Sequence, residues 1–133
     1  MNDYNNLPEG HPVKVYLEEN MLMRGLMASI NSIDKEENFE EFNEKFQLLC
    51  RVEKHFARKE NQLFPYLEKY GWTSPSQNMW AFHDDIRAIV KQARNLVEQK
   101  EMASLEMVLQ NLFKNIEHIM SVEEGDCFQM LLR

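Results

Sequence analysis

Apolar residues recur along this chain at intervals of three and four, the period of a helix that buries one face. The first such run starts at Pro12 and reaches about Ile33, with Val15, Leu22, Leu26, Ile30 and Ile33 as its stripe. A proline is well placed in a first helical turn. Asp34 to Asn38 then reads as a charged turn. A second helix covers about Phe39 to Tyr70, with Phe42, Leu49, Val52, Phe56, Leu63 and Leu67 on its inner face. Pro65 falls in its last turns and predicts a kink or an early end. Residues 71–77 (GWTSPSQ) carry the densest turn signal. A third helix follows from about Asn78 to Gln99, with Met79, Phe82, Ile86, Ile89, Val90, Ala93 and Val97 inward. After a short charged break near Lys100, a fourth runs from about Ser104 to Leu132. Its inward positions are Leu105, Leu109, Leu112, Ile116 and Ile119, and Gly125 predicts a bend or an end.

Four helices on short connections predict an all-α, antiparallel up-and-down four-helix bundle. The 133 residues fit a single domain, 1–133, with residues 1–11 as an extended N-terminal arm. Hydrophobic residues at 44% and charged residues at 28% describe a globular chain. The net charge of −7, with no basic stripe, argues against nucleic acid and anionic membrane surfaces. No apolar run is long enough for a bilayer, and the first ten residues do not read as a secretory signal. Cys50 and Cys127 lie inside helical patterns without paired spacing, so the simplest compartment is a reduced, cytoplasmic one.

Histidine changes the picture. There are four, His11, His55, His83 and His118, one on or at the start of each predicted helix. Side chains from facing helices converge in a bundle core, and metal sites are built that way. Imidazole with carboxylate suits iron, zinc or manganese. His55 and Glu60, like His118 and Glu123, are five residues apart, about 140° around a helix. Such a pair can flank an inward face. His83 lies in line with Met79, Ile86 and Val90, whereas His118 lies far from the direction of Leu109 and Ile116. Glu19 falls in line with Val15 and Leu22, and an inward acid needs a partner: a metal, Arg87 or a histidine. Taken singly, each residue has a plainer reading. A histidine on an apolar face is most often simply packed, and residues 58–60 most often form a solvated face. The nine methionines most often fill core space.

At these residues the chain resembles the hemerythrin-like family, the HHE cation-binding domains, over nearly its whole length. The resemblance is carried by Glu9-Gly-His-Pro-Val with Glu18-Glu19-Asn20, by residues 55–68 (HFARKENQLFPYLE), by residues 79–87 (MWAFHDDIR) and by residues 118–123 (HIMSVE). The second and third stretches look like a bacterial branch in which such domains accompany sensory modules. The resemblance implies an antiparallel four-helix bundle with a non-haem, oxo-bridged di-iron centre. It implies His11, His55, His83, His118 and Glu123 as metal ligands, and Glu60, one residue past the family's second-helix acid, is expected to join them as a ligand, with Glu60 and Glu123 bridging. The sequence departs from the family in two places. The family has an acid four residues after its second-helix histidine, and here that position is Lys59. It has a histidine four residues after its third-helix histidine, and here that position is Arg87, a permanent cation that cannot ligate. Glu19 or another acid then fills the gap, or the site is mononuclear, or it takes another divalent metal. A second register of the fourth helix, matching Glu124 and Phe128 to Glu60 and Phe64, leaves His118 outside the site.

The reading that follows is a binding or sensing domain rather than an enzyme. Its ligand would be a small diatomic molecule such as oxygen or nitric oxide, or its signal a redox state; any protein partner is left open. Arg87 is expected to pair with an acid or an anion, and Asp84 and Glu68 to orient histidine rings. A di-iron oxidase or iron-repair enzyme, and a metal-free helical interaction module, are the alternatives. A haem-binding variant lacks an attachment motif.

Overall fold

The computed structural model describes residues 11–69, 71 and 73–127, and all its regular structure is helical. Helix α1 spans Pro12–Ser32. A second rod is assembled from α2 (Phe39–Cys50), α3 (Val52–Arg58), a π-helical segment (Lys59–Leu63) and α4 (Phe64–Lys69). Helix α5 spans Thr73–Gln99, and α6 spans Met102–Val122 before a second π-helical segment, Glu123–Cys127. These rods form the four-helix bundle that the periodicity predicts. Helix α1 packs on α2 and α6, and α5 packs on α6 and α4. The proposed N-terminal arm lies almost wholly outside the described residues, as does the chain beyond Cys127. No described helix is long and apolar enough to cross a membrane.

Each connection has a local cause. His11 caps α1, its Nδ1 accepting from the Val13 N–H at 3.2 Å, with Pro12 in the first turn. Asp34 folds the next turn by accepting from the N–H groups of Glu36 and Glu37. Gly71 takes a left-handed backbone (φ 88°) after α4, open to glycine without strain. Lys100 takes the same region (φ 54°) as it closes α5, and the Glu101 N–H reaches back to the Leu96 carbonyl at 3.0 Å.

The predicted inward faces of the third and fourth helices hold. Leu105, Leu109, Leu112, Ile116 and Ile119 are all buried, each contributing roughly 1.5–3 kcal/mol. The first helix differs. Its buried line is Val13, Tyr16, Asn20, Met23, Met27 and Ile30, a strict three-four alternation, while Leu22 is 69% exposed. The predicted stripe is therefore rotated relative to the core: Leu22 leaves it, Leu26 and Ile33 pack at its edge, and Ile30 stays inside. Two methionines, a tyrosine and an asparagine hold the inner face, because flexible Met fills gaps between facing helices as well as Leu does.

Pro65 does not end the second rod. Helix α4 continues past it to Lys69. A proline inside a helix leaves an upstream carbonyl without its donor. The widened segment just before it, where the Phe64 N–H bonds the Lys59 carbonyl five residues back, absorbs that mismatch. The wider turn also lets consecutive residues face inward, and Lys59 and Glu60 are both buried.

Candidate metal centre

Four polar side chains of the predicted set lie in the core: His55, Glu60, His83 and Glu123. The second rod supplies His55 and Glu60, α5 supplies His83, and the second π-helical segment supplies Glu123. The two histidines are built alike. The His55 Nδ1 meets the carboxylate of Glu19, which also pairs with Arg58. The His83 Nδ1 meets Glu60 Oε2 at 2.9 Å, and Glu60 Oε1 accepts from Arg87 at 2.8 Å. A carboxylate on Nδ1 places the ring proton there and leaves the Nε2 lone pair free. Both Nε2 atoms are buried without a hydrogen-bond partner. Phe56 stacks on His83 at 3.9 Å between ring centroids and holds the ring plane.

Electrostatics keeps these rings neutral. Burial pushes His55 down to about 4, against its hydrogen bond to Glu19, and the nearby Lys59 charge pushes the same way. His83 is pushed down to about 4 by burial and by Lys59, against Glu60. Burial alone would raise Glu60, but hydrogen bonds from Arg87 and His83 outweigh it and hold its carboxyl below the usual range. Glu19 is held low in the same way, burial being outweighed by His55 and Arg58. Glu123 goes the other way: complete burial raises it, only partly offset by Lys59.

Sequence reasoning did not place Lys59 in this cluster. Residues 58–60 read as a solvated face, yet Lys59 is fully buried, and its Nζ lies 2.5 Å from Glu123 Oε2. The Tyr16 ring lies beneath it, 5.8 Å from Nζ. The signal was available: Phe56, Lys59 and Leu63 share the three-four spacing of an inner face. Asn20 was missed as well. It is fully buried, donates to Glu124 at 3.0 Å and leaves Oδ1 without a partner.

The remaining candidates lie elsewhere. His11 caps α1 through Nδ1. His118 is exposed on α6, edge-on to Phe82 at 5.6 Å, as its direction relative to Ile116 had suggested. Arg87 pairs with Glu60 and, at 3.1 Å, with Asp84, so the expected arginine–acid pair forms. Glu68 is exposed on α4.

Two metal ions do not fit this set. The positions four residues after His55 and His83 are cations, both oxygens of Glu60 are engaged, His11 caps α1 through Nδ1, and His118 is exposed. One cation fits its chemistry. Among the buried atoms lacking hydrogen bonds are four lone-pair atoms, Asn20 Oδ1, His55 Nε2, His83 Nε2 and Glu123 Oε1. Two imidazoles and a carboxylate are a donor set for one divalent transition metal. Among the described residues, no three His, Cys, Asp or Glu side chains already stand in a metal-holding arrangement. Lys59 is paired with Glu123, and its charge acts on both His55 and His83.

The family model for the hemerythrin HHE cation binding domain matches residues 11–131. No curated protein matches the chain.

Proposed function

The chain belongs to the hemerythrin HHE cation-binding family, and from that premise we propose that it binds a single divalent metal ion, most simply non-haem iron, through His55 Nε2, His83 Nε2 and Glu123, and works as a binding or sensing module rather than an enzyme. One observation carries this reading: two buried imidazoles, each clamped at Nδ1 by a carboxylate, leave both Nε2 atoms without a hydrogen bond. Leaving buried polar atoms unpaired is costly, and a metal ion satisfies both.

Glu19 and Glu60 orient the rings and raise their basicity as donors. Arg58 and Arg87 hold those two acids ionised, and Phe56 fixes the plane of His83. When bound, the metal supplies an open coordination position for a small diatomic ligand or a one-electron redox couple. A groove of about 370 Å³ opens beside His55, lined by Leu22, Met23, Leu26 and Leu48 with Arg51, Arg58 and Glu19. Its largely apolar wall suits an uncharged diatomic ligand such as oxygen or nitric oxide.

The test is metal content per chain, with a visible spectrum, on protein purified without chelators. A single ion is expected, lost in His55→Ala and in His83→Ala and kept in His118→Ala. Oxygen or nitric oxide should change the spectrum reversibly without turnover. Metal retained in both core variants, or two ions per chain with oxo-bridge bands, would overturn the reading.

A further inference from the structure

Lys59 is a fully buried cation that a metal centre does not call for. An ammonium in a protein interior loses several kcal/mol of hydration and persists only where it is well paired. Here the pairing is built from three elements. Lys59 opens one π-helical segment and Glu123 opens the other, and α1 contributes the Tyr16 ring. Such segments are uncommon in helices and concentrate at functional sites. Two of them start at the two members of one fully buried ion pair, 2.5 Å apart. Both histidines whose Nε2 atoms lack partners lie within range of the Lys59 charge.

One carboxylate therefore faces two claimants. Glu123 is the acid of the proposed donor set, and Lys59 holds it. We infer that Lys59 is a resident internal cation of this centre, and that a metal ion loads by displacing the Lys59 ammonium from Glu123. The exchange conserves charge pairing at Glu123, since one cation leaves the carboxylate as another arrives. It makes Lys59 a positioning residue that sets metal affinity and keeps the centre at one ion, because its own charge repels a second. The inference rests on the His55–His83–Glu123 reading above.

The experiment uses the full chain and Co2+ as the probe, with affinity measured by competition against a chromophoric chelator and coordination read from the visible d–d bands. Lys59→Met should bind Co2+ about 100-fold more tightly than the parent, since the metal no longer breaks a buried ion pair. The metal-free variant should melt lower and gain more from Co2+, because Glu123 has lost its partner. Glu123→Gln should abolish that affinity gain when combined with Lys59→Met. If Lys59→Met does not fold, Lys59→Gln offers Glu123 an amide donor without the charge and should show the same direction. Affinity within about threefold of the parent in the folded Lys59 variant, with His83→Ala still abolishing binding, would overturn the inference and leave the metal reading standing. Absence of Co2+ binding in both parent and Lys59 variant would overturn both.

Discussion

Acidifying the metal-free domain should unfold it through two histidines, and the slope of that loss can be worked from the structure. His55 and His83 sit at about 4 in the fold against an ordinary 6.5. Between those values the unfolded chain carries protons on both rings and the folded chain does not. The unfolded state binds more protons, so stability rises with pH across this window and is lost as pH falls through it. Each ring contributes roughly 2–3 kcal/mol of loss between about pH 7 and pH 4.5. Together that is roughly 5 kcal/mol, comparable to the whole stability of a small domain. Glu19 and Glu60, held low, lose their own contributions only further into acid. Glu123, held high by burial, acts with the opposite sign and relaxes its penalty as pH falls. The assay is urea unfolding at a series of pH values with chelator present. The steepest slope should approach about 2.7 kcal/mol per pH unit in the parent and about 1.4 in His83→Asn or His55→Asn. Equal slopes in the parent and both core variants would refute the claim that these rings are buried and neutral.

Glu60→Gln removes the charge that binds His83 Nδ1 and Arg87; metal affinity should fall about 10- to 100-fold with little change in helix content, read by chelator competition and circular dichroism. Met23→Ala should cost about 2–4 kcal/mol in urea unfolding, whereas Leu22→Ser, on the exposed side of α1, should stay within about 0.5 kcal/mol; a larger effect at Leu22 would restore the aliphatic stripe as the inner face. Arg24→Ala breaks pairs with Glu117 and Glu124 that are partly solvated, and should cost no more than about 1 kcal/mol, less in high salt.

The amino-acid sequence by itself determined the helices, their order and most of their inner faces. Leu105, Leu109, Leu112, Ile116 and Ile119 could point only one way, because period and hydrophobicity agree there. It also singled out His55 and His83, since histidine is rare here, His83 falls on an inward line and His55 can flank one, and it required a partner for Glu19, which proved to be His55. Tertiary structure decided what those residues meet. Lys59 reads as polar and exposed in one dimension, and partners from other elements, the Glu123 carboxylate and the Tyr16 ring among them, make its burial tolerable. His118 shares the five-residue spacing of His55 and Glu60 but faces solvent, because the rotation of α6 is set by its packing on α1 and α5, not by its own pattern. Glu60 reads as a ligand from its spacing, and only the packed bundle brings Arg87 and the His83 Nδ1 to its two oxygens. Periodicity fixes which side of a helix is apolar. The charge of a buried site depends on which side chains arrive from the other helices, and that is a property of the packed bundle alone.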